Sequence, residues 1–114
     1  MDNCNFLQQA LNKINQIGYI PGVFSTAHIW EKFFGSNCDS IAGLNGGTWL
    51  WYANYNSSGQ VDSIRSFDDF VPFGGWTVGS SFLTMKQVGG NVTVPLCGSS
   101  TWHAFVDYIW GPTY

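Results

Sequence analysis

The sequence predicts an α/β domain in which helices separate parallel strands. Helical and strand-like patterns alternate at first, in the order helix, strand, helix, strand, and two more strand-like segments follow. Strands that are separated by helices need crossover connections, which favour parallel pairing. The 114 residues are 45% hydrophobic and 10% charged, so one domain with a modest core is expected.

The first half of the chain predicts two helices and one short strand. Apolar side chains recur every three or four positions over residues 5–17, where Asn3 or Asn5 could be the cap and a glycine would end the helix. A strand is expected at residues 20–25. Ser25 can then cap a second helix over residues 26–34.

The second half predicts three more strands. The first of them covers residues 49–55, and residues 66–73 could form one helical turn before a proline. Residues 83–88 alternate well enough for the next strand, which the glycine pair at 89–90 would stop. Residues 103–110 complete a set of four strands, all expected to be parallel.

The strand at 49–55 is rich in aromatic rings and has a polar end. Its rings are Trp49, Trp51, Tyr52 and Tyr55. A strand made only for burial would finish in a turn, whereas this one finishes in Asn-Tyr-Asn at 54–56. Packing is the simpler interpretation of the first three rings. For Asn54 and Tyr55, packing and ligand binding are both open.

Composition and motifs exclude several classes of partner. The net charge is −3, from four basic and seven acidic residues, so no basic surface is expected for nucleic acid. No apolar run approaches the roughly 20 residues of a membrane helix. Residues 1–4 lack the pattern of a secretory signal. No metal-ligand spacing, phosphate loop or nucleophile elbow is present, so no cofactor is expected.

The cysteines and two sequons lean toward an extracellular origin. Three cysteines, Cys4, Cys38 and Cys97, leave at least one thiol without an internal partner, and a pairing of Cys38 with Cys97 is possible. Asn56 and Asn91 each begin a glycosylation acceptor pattern.

Six short motifs occur in a fixed order over nearly the whole chain. They are GVFS at 22–25 with Trp30, LWYANY at 50–55, FDDF at 67–70 with PFGGW at 72–76, KQ at 86–87, CG at 97–98, and VD at 106–107. This series resembles the C-terminal half of the glycoside hydrolase family 25 lysozymes, in particular their invertebrate branch.

The resemblance implies a partial (β/α) TIM-like barrel, roughly its last four strands with their helices. Full-length members cleave peptidoglycan between N-acetylmuramic acid and N-acetylglucosamine, and an extracellular, lysosomal or vesicular location goes with that activity. The implied partner is peptidoglycan or another glycan. A half barrel would have open sheet edges, so self-association is also expected.

The resemblance also implies site residues, because the substrate of such a barrel lies across the C-terminal ends of its strands. Asp107 matches the family's carboxylate on the last strand, and we expect it to be partly desolvated and catalytic. The implied substrate-binding residues are Tyr52, Asn54, Tyr55, Asn56, Gln87 and Trp76. Aromatic faces suit the C–H edges of sugars, and amide and hydroxyl groups bind their OH groups.

Two departures from the family pattern concern catalysis. The Asp-x-Glu pair that includes the acid is absent, and the one glutamate, Glu31, falls on an outer helix. Loss of proton donation alone costs about 10²- to 10⁴-fold in rate, so the isolated chain is expected to be inactive. Residues 99–105 are inserted before the last motif. Asp68 and Asp69 are expected to be turn residues, and Asp62 a loop residue with no evident partner.

Three interpretations therefore stay open. The chain could be a truncated lysozyme-related domain, a carbohydrate-binding protein that lost its acids, or an unrelated α/β domain with every aromatic ring in its core. Antiparallel pairing of the strands would argue against the lysozyme resemblance.

Overall fold

The computed structural model describes residues 2–55, 60–96 and 99–109, and for residues 91–96 and 99–105 it describes the strand pairing only. The elements are α1 (Asn3–Gln16), β1 (Gly22–Ser25), α2 (Ala27–Phe34), a 3-10 turn (Leu44–Gly46), β2 (Trp49–Tyr52), β3 (Leu83–Leu96) and β4 (Ser99–Ile109). The predicted mixture of helices and strands is confirmed.

Both helices are capped by a residue other than the predicted one. The carboxylate of Asp2 accepts the main-chain N–H of Asn5 at 2.8 Å and caps α1, so neither Asn3 nor Asn5 has that role. The hydroxyl of Thr26 accepts the N–H three residues on at 3.1 Å and caps α2, so the Ser25 prediction is wrong by one position. Such caps satisfy N–H groups that lack a partner within the helix.

The four strands form one sheet in the order β1-β2-β3-β4. β1 pairs with β2, and β2 with β3, in parallel as predicted. β4 pairs with β3 in the antiparallel direction, so the expectation of four parallel strands is wrong for the last one. Only two residues of sequence separate β3 from β4. A parallel connection needs a crossover of a dozen residues or more, whereas antiparallel strands can be joined by two.

β3 is longer than predicted, because it continues past the glycine pair at 89–90 as far as Leu96. The ladder between β3 and β4 shifts register between Gln87 and Gly89, and again between Gly89 and Val92. Such irregularities let a strand absorb glycines without ending. The inserted residues 99–105 form most of β4. The insertion therefore supplies the partner strand that the longer β3 needs.

The helices pack on one face of the sheet, and their side chains share a core with it. Its buried members are Leu11, Trp30, Cys38, Ile41, Leu50, Tyr52, Phe70, Trp76 and Leu83. The Trp30 ring lies at the centre, with ring centroids of Phe34 at 4.5 Å and of Phe73 and Trp76 at 5.5 Å. Trp30 follows β1 at the start of α2, so its burial fixes that helix against the sheet.

The segment at 66–73 makes a tight turn in place of the predicted helical turn. The N–H of Phe70 donates to the Phe67 carbonyl at 3.1 Å. The rings of Phe67 and Phe70 have their centroids 6.1 and 4.9 Å from that of Tyr52. This turn therefore closes over the same face as the helices.

A disulfide joins Cys4 of α1 to Cys38, which follows α2. The predicted pairing of Cys38 with Cys97 is therefore wrong. Cys97 itself lies outside the described residues. Helix packing brings Cys4 to the buried Cys38, since Cys4 lies against the core on the apolar side of α1. The crosslink ties the N-terminal helix to the loop that leads into β2.

The two faces of the sheet differ in what covers them. Leu50 and Tyr52 point to the covered face and are 1% and 0% exposed. Alternate residues of a strand point to opposite faces. Trp49 and Trp51 thus lie on the other side, here called the open face, with Phe24 beside Trp51 at a ring-centroid distance of 4.5 Å. Trp49 is 42% and Phe24 47% exposed.

The described residues form an open sheet that does not close into a barrel. A partial TIM-like barrel therefore stays a prediction, although three parallel strands with helices on one face are part of that architecture. Within the described ranges, no helix has the length and apolar character needed to cross a membrane.

Candidate functional site

Four side chains meet on the open face beside the C-terminal end of β2. We call Trp51, Tyr55, Gln87 and Asp107 the open-face cluster. The Trp51 indole N–H donates to Oδ1 of Asp107 at 2.9 Å. The Tyr55 hydroxyl donates to Oε1 of Gln87 over a longer 3.4 Å. Gln87 and Asp107 face each other as partners in the β3–β4 ladder. Three of the seven predicted site residues are thus brought together.

Each member of the cluster is placed by a different element. Trp51 comes from β2, and Gln87 lies one residue beyond Lys86, the β3 partner of the last residue of β2. Asp107 arrives on the antiparallel β4. Tyr55 lies past the end of β2, where it forms an isolated antiparallel bridge with Val61. We call the described residues 54, 55 and 60–64 the Tyr55 arm.

The cluster is partly open to solvent. Tyr55 is 53% exposed and Gln87 is 4% exposed. Asp107 is also exposed, so the expectation that it is partly desolvated is wrong. It lies two residues before the end of β4, which is an edge strand of the sheet. The second carboxylate oxygen of Asp107 has no described partner, and this leaves an acceptor for a ligand.

A second group of polar residues lies behind the cluster, on the covered face. Lys86 is 0% exposed. Its ammonium donates to Oδ1 of Asp62 at 3.1 Å, to the carbonyl oxygen of Ile64 at 2.6 Å and to Oδ2 of Asp69 at 3.0 Å. A lysine is almost never fully buried unless it is paired. We call these contacts, together with the hydrogen bonds that Tyr52 and Asn54 donate to Asp69, the Lys86 network.

Asp69 connects Lys86 to the end of β2. It accepts the Tyr52 hydroxyl at 2.7 Å through Oδ1, and the Asn54 amide at 2.8 Å through both Oδ2 and its carbonyl oxygen. Burial raises the pKa of Tyr52 well above its usual 10.0, and the Asp69 carboxylate adds to the shift because it holds the phenolic proton. Asp69 therefore does more than form a turn.

Asp62 is likewise not a loop residue without a partner. Besides Lys86, its carboxylate accepts the N–H of Ile64 at 2.9 Å. That main-chain hydrogen bond, followed by the hydrogen bond from Lys86, lowers the pKa of Asp62 below its usual 3.8. The carboxylate thus stays ionised to lower pH than an isolated one.

The remaining predicted site residues lie outside the open-face cluster. Tyr52 and Trp76 are fully buried in the core. Trp76 donates its indole N–H to the carbonyl of Thr48 at 2.8 Å. The Asn54 side chain is used in the Lys86 network, and Asn56 lies outside the described residues. Their roles in substrate binding stay predictions.

Sequence reasoning missed Trp51 as an Asp107 partner and missed Lys86, Asp62 and Asp69 as a network. One signal could have found the network. Lys86 stands in a strand-like segment, between Met85 and a later valine, where a charge needs nearby carboxylates. The indole of Trp51 had no comparable signal, since its partner is 56 positions away.

The open-face cluster can bind a polar ligand, but it holds one carboxylate. Its groups offer an exposed acid, an amide, a phenol and an indole face. Among the described residues, the carboxylates of Asp62 and Asp69 are tied to Lys86, and no group of three or more His, Cys, Asp or Glu could hold a metal. Hydrogen bonding to hydroxyl groups is the chemistry that these side chains offer.

A separate groove of about 470 Å³ lies between α2 and the turn at 71–77. Glu31 and Asp39 line it beside Pro72 and Phe73. The groove shares no residue with the open-face cluster or with the Lys86 network.

The fold and the site define a class of protein: an α/β domain in which aromatic and amide groups from two neighbouring parallel strands meet a carboxylate of an antiparallel edge strand. The model of a family described as "Lysozyme-like protein 1" matches residues 1–87. The chain belongs to this lysozyme-like family, and the resemblance that the motifs indicated is confirmed.

Several curated proteins are similar to the chain. "Counting factor 45-1" of Dictyostelium discoideum is 38% identical over 79% of the chain and 26% of its own length. "Probable GH family 25 lysozyme 4" of the same organism is 34% identical over 66% of the chain and 30% of its own length. "Lysozyme-like protein 7" of Caenorhabditis elegans is 28% identical over 84% of the chain and 31% of its own length. The chain thus spans about a quarter to a third of these relatives. No solved structure gives a significant match.

Proposed function

We propose that the chain is a lysozyme-related domain that binds the glycan of bacterial peptidoglycan at the open-face cluster and does not cleave it unaided. The observation that carries this proposal is the convergence of Tyr55, Gln87 and Asp107 on one face. The family to which the chain belongs supplies the class of glycan.

The cluster suits a sugar for three physical reasons. The Trp51 and Phe24 rings present an aromatic surface to the C–H edges of a pyranose. The free oxygen of Asp107 can accept a sugar hydroxyl, and a charged acceptor makes such a bond stronger than a neutral one. Tyr55 is exposed and its bond to Gln87 is long, so a ligand can replace that bond at low cost.

The absence of cleavage follows from the carboxylates. Glycosidases use two, about 5–5.5 Å apart in retaining enzymes and about 6.5–9.5 Å apart in inverting ones. Asp107 is the one carboxylate of the open-face cluster. Asp62 and Asp69 are ion-paired with Lys86 on the covered face, so neither faces Asp107 across the open-face cluster as a second catalytic carboxylate.

Retention by insoluble peptidoglycan is the direct test. The wild-type chain is expected to sediment with peptidoglycan, and Tyr55→Ala and Asp107→Asn to lose retention. Tyr19→Ala is the matched control, since Tyr19 is 67% exposed, compared with 53% for Tyr55, and is outside the cluster. Equal retention of all variants, or none of the wild type, would rule the proposal out. Location in an extracellular or lysosomal compartment is proposed with this ligand.

A second candidate function is glycan binding as the whole activity, without any catalytic form of the protein. The exposed Asp107 favours it, because a hydrogen bond from Trp51 and contact with water suit an acceptor role as well as a catalytic one. The coding sequence upstream of residue 1 distinguishes the two. A joined segment with Asp-x-Glu that restores turbidity clearing of cell walls would favour a lysozyme. Upstream sequence without acids would favour a binding protein.

A further inference from the structure

We propose that Lys86 is a positioning residue that holds the Tyr55 arm in place from behind the sheet, so that Tyr55 reaches the open-face cluster. The role of the arm in binding rests on the proposed function, whereas its placement by Lys86 does not. Lys86 itself is fully buried, so its own side chain does not contact a ligand on the surface.

All three donor positions of the Lys86 ammonium are used. An ammonium group has three N–H bonds and no acceptor. Here they meet three oxygens at 2.6 to 3.1 Å, from Asp62, Ile64 and Asp69. Two of these oxygens, those of Asp62 and Ile64, belong to the second half of the Tyr55 arm, residues 60–64. The lysine thus has no donor left over, and two of its three contacts are with the segment that it holds.

The first half of the arm, residues 54 and 55, is tied to the Lys86 ammonium through Asp69. The Asn54 amide donates to Oδ2 of Asp69, the atom that also accepts from Lys86. The N–H of Asp62 donates to the Asn54 carbonyl at 2.7 Å. Between these ties, Tyr55 bridges to Val61. Lys86 therefore contacts the oxygens that fix both sides of the bridge.

The neighbouring residue of β3 contacts the arm from the other side. Successive strand residues point to opposite faces, so Lys86 points to the covered face and Gln87 to the open face. Gln87 accepts a hydrogen bond from the Tyr55 hydroxyl, while Lys86 holds the main chain of the arm at Ile64 and its carboxylate at Asp62. The dipeptide at 86–87 thus fixes the arm on both faces, which gives the KQ motif a physical role.

Removing the ammonium should loosen the arm before it loosens the core. Lys86→Met keeps an unbranched side chain of similar length but leaves Asp62 and Asp69 without their cation. Their side chains are 32% and 21% exposed, so water can reach them if the arm opens. Neither carboxylate belongs to the hydrophobic core. The expected effect is therefore local opening.

Amide hydrogen exchange of the purified chain tests this directly. In Lys86→Met, the N–H of Asp62 is expected to exchange at least about tenfold faster, while amides inside α1 change little. Lys13→Met is the matched control, since Lys13 is an exposed lysine of α1. Asp62→Asn is the milder second variant, because it leaves Lys86 paired with Asp69, and it should speed the same amide by less.

Binding supplies a second readout that a purely structural role would not give. Lys86→Met should weaken retention by peptidoglycan about as much as Tyr55→Ala does, and the double variant should lose no more than either single one. Additive losses, or equal acceleration of exchange throughout the chain, would overturn the positioning role. So would an unchanged Asp62 amide.

The two proposals fail in different ways. If the wild-type chain is not retained by peptidoglycan, the proposed function falls, yet selective acceleration at Asp62 in Lys86→Met still supports the positioning of the arm. If that amide is unaffected, the positioning role falls whatever the wild type binds.

Discussion

The disulfide between Cys4 and Cys38 gives a prediction whose size follows from chain length. The two residues are 34 positions apart. In the chain-entropy description, closing a loop of that size in the unfolded chain stabilises the fold by about 4 kcal/mol at 25 °C. A domain of this size has a free energy of unfolding of about 5–15 kcal/mol. The double variant Cys4→Ala/Cys38→Ala should therefore lose a large share of its stability.

Urea unfolding followed by tryptophan fluorescence measures this loss. We expect the double variant to fall by about 3–4 kcal/mol, with a small added cost because Cys38 is 0% exposed. Cys97→Ala is the control, because the bond between Cys4 and Cys38 leaves it no cysteine partner within the chain. An equal loss in Cys97→Ala, or a loss below about 1 kcal/mol in the double variant, would refute the pairing or its energetic role.

Two further predictions concern a pair of turn glycines and the carboxylate of Asp62. Gly75 and Gly79 have nearly the same φ, 92° and 88°, but a β-carbon at Gly75 would lie 2.3 Å from a main-chain carbonyl oxygen, whereas none lies within 4 Å at Gly79. Gly79→Ala should cost about 1–2 kcal/mol for backbone strain, and Gly75→Ala about 1–3 kcal/mol more; equal losses in thermal melts would contradict the clash. The depressed pKa of Asp62 stabilises the fold above its unfolded value of 3.8, and this contribution is lost as pH falls through the lower folded value. The stability difference between wild type and Asp62→Asn should accordingly be constant above about pH 5 and shrink below pH 4, and urea midpoints that keep a fixed difference down to pH 2 would count against it.

Local signals were sufficient to predict the helices and the early strands. The apolar repeat of α1 and the glycine that ends α2, at a φ of 70°, are signals that residues close in sequence carry. Both helices lie within two residues of their predicted bounds. The strand at 83–88 was predicted too short because a glycine pair is ordinarily a stop. Here β4 provides hydrogen-bond partners for the continued strand, and the local sequence of β3 does not reveal that pairing.

The candidate site was predicted in part, for a similar reason. Tyr55, Gln87 and Asp107 were placed by the family resemblance, which carries tertiary information that periodicity lacks. The Lys86 network joins residues that are 15 to 24 positions apart through side-chain contacts. No helical or strand period relates such positions, and the one available signal, a lysine in a strand-like segment that would need carboxylates if buried, does not say which carboxylates.

The antiparallel β4 does not conflict with membership of the lysozyme-like family. The family model matches residues 1–87, which contain β1, β2 and the start of β3, where it pairs in parallel with β2. The antiparallel ladder lies largely beyond residue 87. Asp107 nevertheless lies opposite Gln87, the last matched residue, because β4 runs back along β3 from Leu96 as far as Met85. A shift of one residue in this ladder would turn Asp107 to the covered face. The position of the one site carboxylate therefore depends on the register of the hairpin, and the Trp51 hydrogen bond on the open face and the Phe67–Tyr108 ring contact on the covered face both favour the observed register.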